Sequence, residues 1–305
     1  MSLKSVQQAS DKLSEKTIKG MQRTLVNNYK ATNKEFKLIF AEIYSKYETK
    51  GVLTYAEMQR FDRIKKLQKE LKVSVDALYN KDQRLLIARL NDMYKNGYYT
   101  TAFAIEKEVQ AKLSYKLLDP EKIRLAIQNP VSGLTLNQTL LKNKTNIIWK
   151  INQEMTQGLV KGESYQKMAR RMTDALGGDA KKATVIARTE GHRIHNSARY
   201  ESAQHADDLG VKTEKEWVAN LDARTRDAHG ILDGKTIGMK ENFVSQAGGS
   251  GLFPGEMGNA ADDINCRCDY VVVVAGVRPD FRRVRGEGVV PQITYKQWAK
   301  DKGVT

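Results

Sequence analysis

The chain has 305 residues, 40% of them hydrophobic, and its 51 Lys and Arg against 36 Asp and Glu leave a net charge of +15. The longest apolar run, Val271 to Val277, is only strand-length, which excludes a helical membrane span. The first 25 residues carry Lys and Ser throughout and lack an apolar core, so no secretory signal is expected; Cys266 and Cys268, one residue apart, do not make a disulfide scaffold. These features predict a soluble protein of about two domains whose thiols stay free in a reducing cytosol. The charge is one-sided: residues 1–200 hold 37 basic and 20 acidic residues, whereas residues 201–305 hold 14 and 16. A basic first part suits a polyanion partner, and the near-neutral remainder suits another task.

No proline precedes Pro120, and the first 119 residues read as helix. Phe36, Ile39, Phe40, Ile43 and Tyr47, then Leu85, Leu86, Leu90, Met93 and Tyr94, recur at helical spacing as core stripes. Gly51 and Gly97 are predicted breaks, and Thr54 with Glu57 marks a new helix start. Leu118 to Leu140, with two prolines and Gly133, reads as a turn-rich linkage. Helix resumes from Leu140 to Met155 and is broken by Gly158 and Gly162. Ser164 is predicted to cap a helix from Tyr165 to Leu176 ended by Gly177 and Gly178, and a further helix runs from Asp179 to Leu209. Beyond Gly210 the texture changes to short strands at Lys215–Ala219 and Arg267–Val274, with a tight turn at Asp233-Gly234 and a mobile glycine-rich loop over 246–259. The tail carries Arg282, Arg283 and Arg285, then an amphipathic piece around Tyr295 and Trp298. The expected fold is therefore α+β and predominantly α-helical, with long N-terminal helices followed by a small C-terminal module of helices packed on a short β-sheet. Its expected divisions are a basic helical region 1–140, an α+β module 141–277 and a basic tail 278–305.

Three groups of residues carry candidate chemistry. Arg63, Lys65, Lys66 and Lys69, with Arg170 and Arg171, are candidate phosphate contacts on the basic helices; no base-reading motif accompanies them, so any DNA binding is expected to ignore sequence and to weaken with salt. Between 187 and 199, Arg188, Glu190, Arg193 and Asn196 form a polar helical face expected to pack on the sheet and to hold Asp222, Arg224 or loop carbonyls. Asp222 is placed to cap a short helix that carries His229. Cys266 and Cys268 share one face of a strand, and with His229 they make a soft ligand set suited to zinc, with Asp263 or water as the fourth group. Two buried thiols beside a packed histidine are the alternative.

The ordered series Ala187-Arg188-Thr189-Glu190, Trp217, Asp222-x-Arg224-Thr-Arg226-x-x-His229, Leu232-Asp233-Gly234, Phe243, Pro254 and Asn265-Cys266-Arg267-Cys268 resembles the tailed-phage minor head protein family, the head-morphogenesis or Mu F-like domain. The likeness covers about residues 164–274. It implies a minor capsid protein of the virion, inside the phage head, associated with the portal and acting in head assembly and genome ejection, after assembly in the host cytoplasm. Its implied partners are the portal protein, a scaffold or major capsid protein and double-stranded genomic DNA, and it implies no catalysis. Relatives that look like zinc binders have cysteine where this chain has Arg226 and His229, and histidine near Asp263 and Ile264. Here His229, Cys266 and Cys268 keep ligand chemistry for a structural zinc. The alternative implied by some relatives is a metal-dependent or ADP-ribosyltransferase-like enzyme carried in the head.

Overall fold

The computed structural model describes residues 3–274, 281–284 and 288–291; the predicted tail features at Arg285, Tyr295 and Trp298 and the side chains of Arg282 and Arg283 lie outside the described residues. In chain order the elements are α1 (Leu3–Tyr47), α2 (Tyr55–Gln59), α3 (Arg63–Val109), α4 (Pro120–Gln128), α5 (Leu136–Val160), α6 (Tyr165–Asp208), β1 (Thr213–Val218), α7 (Asp227–Leu232), β2 (Thr236–Gly238), β3 (Phe243–Val244), β4 (Ser250–Gly251), α8 (Ala260–Asp263), β5 (Asp269–Val274), β6 (Phe281–Val284) and β7 (Gly288–Pro291). The fold is α+β and mostly helical, as its patterning predicts.

Two compact units emerge, and each draws on distant parts of the chain. One takes residues 20–87 and 137–185; the other takes residues 1–19, 88–136 and 186–305. The division does not follow a single boundary near residue 140, because α1, α3 and α6 each contribute to both units. We call the first the helical unit and the second the mixed unit.

In the helical unit, Met21, Leu25, Tyr29, Phe36, Phe40 and Tyr44 of α1 are buried, as are Leu67, Leu71, Val75 and Leu78 of α3. Ile147, Ile151 and Met155 of α5 and Met168, Met172 and Leu176 of α6 are buried too, all at the spacing that keeps one helical face apolar. One polar layer interrupts this core: Asp179 accepts from Tyr29 Oη at 2.8 Å and Tyr79 Oη at 2.6 Å, while Asn28 donates to Asp82 at 2.6 Å. Burial pushes Asp82 up to about 6 despite the Asn28 bond. The predicted helix start holds, with Thr54 Oγ1 accepting from Glu57 N at 3.2 Å; the Glu57 carboxylate, however, pairs with Arg60 and Arg63.

Several glycines predicted to break helices do not. α3 passes through Gly97, where a Cβ would lie 3.0 Å from that of Ala198, so the missing side chain permits close helix contact. α5 continues past Gly158 to Val160, and Gly162, with φ +60°, ends it. α6 runs unbroken through Gly177-Gly178 because Ala175, Leu176, Asp179 and Ala183 continue its buried stripe; packing outweighs the low helix propensity of glycine. The linkage near 120–128 is also helical: α4 has Asp119 as its cap, accepting from Glu121 N, and Pro120 in its first turn.

In the mixed unit a three-stranded antiparallel sheet has the order β2-β1-β5, with Trp217 opposite Tyr270 and Lys215 opposite Val272. Gly234, at φ +78°, makes the predicted turn and donates to Trp217 O. Apolar packing on this unit includes a cluster of Trp217, Ala219, Leu232, Phe243, Met257, Cys266 and Cys268. The glycine-rich segment is tightly seated: a Cβ at Gly251 would collide with the Glu256 carbonyl, and Gly255, with φ +96°, would bring one within 3.1 Å of Arg193 Cα. Close backbone approach, not looseness, explains these glycines.

Candidate functional site

The mixed unit gathers His229, Cys266 and Cys268 into one buried group, with ligand-capable atoms all within 4.8 Å of one another. His229 comes from α7, and the two cysteines sit in the segment entering β5, where alternation turns both sulfurs the same way. His229 Nδ1 is 3.6 Å from Cys266 Sγ and 3.4 Å from Cys268 Sγ. Its Nε2 lies 3.0 Å from Asp262 Oδ1, which also accepts from Ser245 Oγ at 2.8 Å. Asn259 Nδ2 holds the other Asp262 oxygen at 2.9 Å, and Asp262 is fully buried. A carboxylate on one imidazole nitrogen orients the other toward the sulfurs, the usual outer support of a metal-ligating histidine.

Electrostatics favour one thiolate in this group. Cys266 accepts hydrogen bonds from the Cys268 thiol and from His229 and is held well below the ordinary thiol range in spite of burial; Cys268 is correspondingly pushed up. Burial alone would lower His229, yet its hydrogen bonds with Cys266 and Asp262 raise it. The N···S separations match the edge of about 3.6 Å expected for a tetrahedron with Zn–N of about 2.1 Å and Zn–S of about 2.3 Å. The three donors therefore fit zinc in type and spacing.

Asp263 stands apart from that group. Its carboxylate accepts from the backbone of Met257 at 2.8 Å and Gly258 at 2.9 Å, fixing the glycine-rich turn. Arg226 spans the neighbouring loop, donating to the carbonyls of Asp262 at 3.1 Å and Ile264 at 2.5 Å. This guanidinium ties together the segment that carries the Asp262 support. Asp262 was missed in favour of its neighbour; its signal is the Asn259-x-x-Asp262 spacing of a helix cap, in which Asp262 N donates to Asn259 Oδ1 at 2.7 Å.

The polar face of α6 is buried and structural. Arg193, 1% exposed, pairs with Glu190 at 2.7 Å and donates to the carbonyls of Ala126 and Ile127, capping the end of α4. Asn196 holds Pro254 O at 2.9 Å, and Arg188 binds Glu15. The loop carbonyls are thus held as expected, but Asp222 is not: it accepts two bonds from Arg267 and one from Arg224 N, which holds it far below the usual carboxylate range. Asp222 does not cap α7 either, whose N-cap is Arg226. Arg224 is exposed beside it, and Trp217 is fully buried with its ring edge-on to His229 and Phe243. Sequence reasoning passed over Arg199, which is fully buried and binds Asp11, Gln7 and Tyr270 O, tying the start of α1 to β5.

The basic candidates separate on inspection. Arg63 stacks on the Tyr47 ring at 3.8 Å and pairs with Glu57; Arg171 bridges Glu154 and Glu163. Both are engaged in holding the helical unit. Lys66, Lys69 and Arg170 are exposed, and exposed Lys65 has a surface pairing with Asp62.

Residues 149–271 match the family described as Phage Mu protein F like protein. The minor head protein GP7 of Bacillus phage SPP1 is 34% identical over 300 residues, covering 97% of each chain. The NAD(+)--arginine ADP-ribosyltransferase EFV of Enterococcus faecalis is 30% identical over 209 residues, 68% of this chain and 43% of that one. An uncharacterized protein of Haemophilus influenzae is 26% identical over 150 residues, 48% of this chain and 30% of that one. No solved structure matches. With the buried Arg-Thr-Glu helix, the His229–Cys266–Cys268 group and an end-to-end match to a minor head protein, the chain belongs to the tailed-phage minor head protein family of the head-morphogenesis, Mu F-like type.

Proposed function

We propose that this minor head protein acts without catalysis at the portal vertex inside the phage head, in head assembly and genome delivery, and that its helical unit contacts double-stranded DNA without regard to sequence. The observation that carries the DNA reading is where the charge sits: the helical unit holds 23 Lys and Arg against 12 Asp and Glu, whereas the mixed unit holds 28 against 24. Phosphate neutralisation by exposed cations explains such an excess, and counterion release makes the contact salt-dependent. Affinity for two unrelated duplexes measured across a salt series tests it. Equal affinities that fall steeply with salt are expected; a preference for one duplex, or no binding at low salt, sinks it. Portal association is tested by mixing purified protein with its cognate portal or procapsid at moderate salt, where failure to co-sediment counts against it; scaffold and major capsid protein are the partners to try next.

We further propose that His229, Cys266 and Cys268 hold a structural zinc, which would crosslink α7 to the start of β5. Asp262 keeps the imidazole oriented, and Arg226 fixes the adjoining loop. Elemental analysis of protein purified without chelator should return one zinc per chain, and Cys266→Ala should lower both the zinc content and the thermal midpoint; metal-free, equally stable protein leaves the three as packed core groups. The enzyme reading is favoured only by the likeness to a protein named as an ADP-ribosyltransferase, of which this chain spans less than half. Incubation with labelled NAD+ and an arginine-bearing acceptor is expected to give no transfer.

A further inference from the structure

The helical unit carries an open groove of about 380 Å³ lined by Gln22, Arg23, Val26, Asn27, Lys30 and Thr184. Gln22 Nε2 donates to Thr184 O at 2.9 Å, which fixes α1 beside α6 along its base. Arg23, Lys30 and Lys37 follow one another at seven-residue intervals on α1, with Asn27 and Lys34 interleaved on the same face. At 1.5 Å per residue that stripe runs about 21 Å. On α6, Lys181 lies one turn before Thr184, and Lys182 is exposed beside it. Among the described residues no carboxylate pairs with Arg23, Lys30, Lys34, Lys181 or Lys182, and the nearby Glu35 is committed to Ser74 at 2.8 Å. These cations are available, in contrast to Arg63 and Arg171.

A second observation points the same way. Gly177 and Gly178 lie two turns before the groove on α6, inside a continuous helix and exposed to solvent. A Cβ at either would meet nothing within 4 Å, so packing does not call for glycine there, while a helix interior disfavours it. Bare backbone beside a row of cations allows close approach of a bulky ligand.

We propose that the α1–α6 groove, lined by Arg23 and Lys30 with Lys34 continuing their stripe on α1, with Lys181 one turn before Thr184 on α6 and Gly177-Gly178 two turns before it, seats the phosphate ridge of duplex DNA. This rests on the DNA reading above and assigns it to one surface. Phosphate oxygens take hydrogen bonds from the guanidinium and ammonium groups, Asn27 adds a neutral donor, and the glycines let the ridge approach the helix.

The test uses the full chain and fluorescence anisotropy with two unrelated duplexes. The triple variant R23A/K30A/K34A should lose at least about tenfold in affinity at about 0.1 M salt, and the slope of log affinity against log salt should shrink by about 2 to 3. The variant K65A/K66A/K69A removes the same charge from α3 and should lose no more than about threefold. G177A/G178A should raise the melting temperature while weakening binding, opposite signs that a purely structural role would not produce. Wild-type protein that binds no duplex at low salt overturns the DNA reading and the groove together. Wild-type binding with an unaffected triple variant, or an equal loss in the α3 variant, overturns the groove alone, as does unchanged affinity in the glycine variant.

Discussion

The two units handle charge in opposite ways. The helical unit holds most of the net charge and displays it: Asp82 and Asp179 are its buried ionisable acids, and beside the uncharged Asn28, Thr32 and Ser74 its core is stripes of apolar and aromatic side chains. The mixed unit is nearer neutrality, yet it buries Glu190, His192, Arg193, His195, Arg199, Lys215, His229, Asp262 and Asp263. Charge on a surface is available to a partner, whereas charge in a core must be matched by another group of the same chain. Net charge therefore points to where the protein meets a polyanion, and buried charge points to where the family motif does structural work. The polar face from Arg188 to Asn196 is an internal brace: Arg188 ties α6 to α1, Arg193 with Glu190 ties it to α4, and Asn196 ties it to the glycine-rich turn.

Breaking a brace in the mixed unit should give the largest effect. Arg193→Ala leaves Glu190 buried without its partner and takes the guanidinium donors away from the Ala126 and Ile127 carbonyls at the end of α4, and should cost about 3 to 5 kcal/mol in urea unfolding. A loss below about 1 kcal/mol would remove the brace from the account.

Lys215 sharpens the comparison, because it is buried and faces the Tyr200 and Phe243 rings with Met239 O as its hydrogen-bond acceptor. Burial lowers it to about 8 from 10.5. The folded state thus gives up this proton more readily than the unfolded chain, so stability rises with pH between 8 and 10.5. Lys215→Met should stabilise the protein by about 1 to 2 kcal/mol near neutrality, after allowance for the lost hydrogen bond and ring contacts, and the gain should shrink through that window.

The polar layer of the helical unit should respond less and in a different range. Asp82 is raised to about 6 from 3.8, so the folded state favours its protonated form and stability falls as pH rises between those values. Asp82→Asn keeps an acceptor for Asn28 and should add about 1 kcal/mol at pH 7.5, a difference that vanishes below pH 3.8. Denaturation midpoints across pH separate this from the Lys215 profile. At the bottom of the range, Lys65→Ala breaks only an exposed pair with Asp62 and should move stability by less than about 0.5 kcal/mol.

Much of this architecture is legible from patterning. The apolar stripes of α1 and α3, the start of α2 at Thr54, the strands around Trp217 and Tyr270, and the turn at Gly234 are local signals that packing reinforces. The thiol–imidazole group is legible as well, because two cysteines one residue apart on extended chain must face the same way. The glycines mislead. Gly97 and Gly177-Gly178 read as breaks because propensity is counted residue by residue, while a helix with a long buried stripe is stabilised along its whole length.

What the sequence by itself determined is therefore the class of fold, the one-sided charge, the family and the His229–Cys266–Cys268 set. All of these depend on residue type and on spacing within one element. Only the tertiary structure decided that Asp262 rather than Asp263 supports His229, that Arg63 and Arg171 are paired with carboxylates while Arg23 and Lys30 pair with none among the described residues, and that each unit is assembled from separated stretches of chain. The physical reason is the same in each case. Which carboxylate a histidine finds, and which cation a carboxylate neutralises, depends on side chains brought together from distant positions, and no local spacing encodes that meeting.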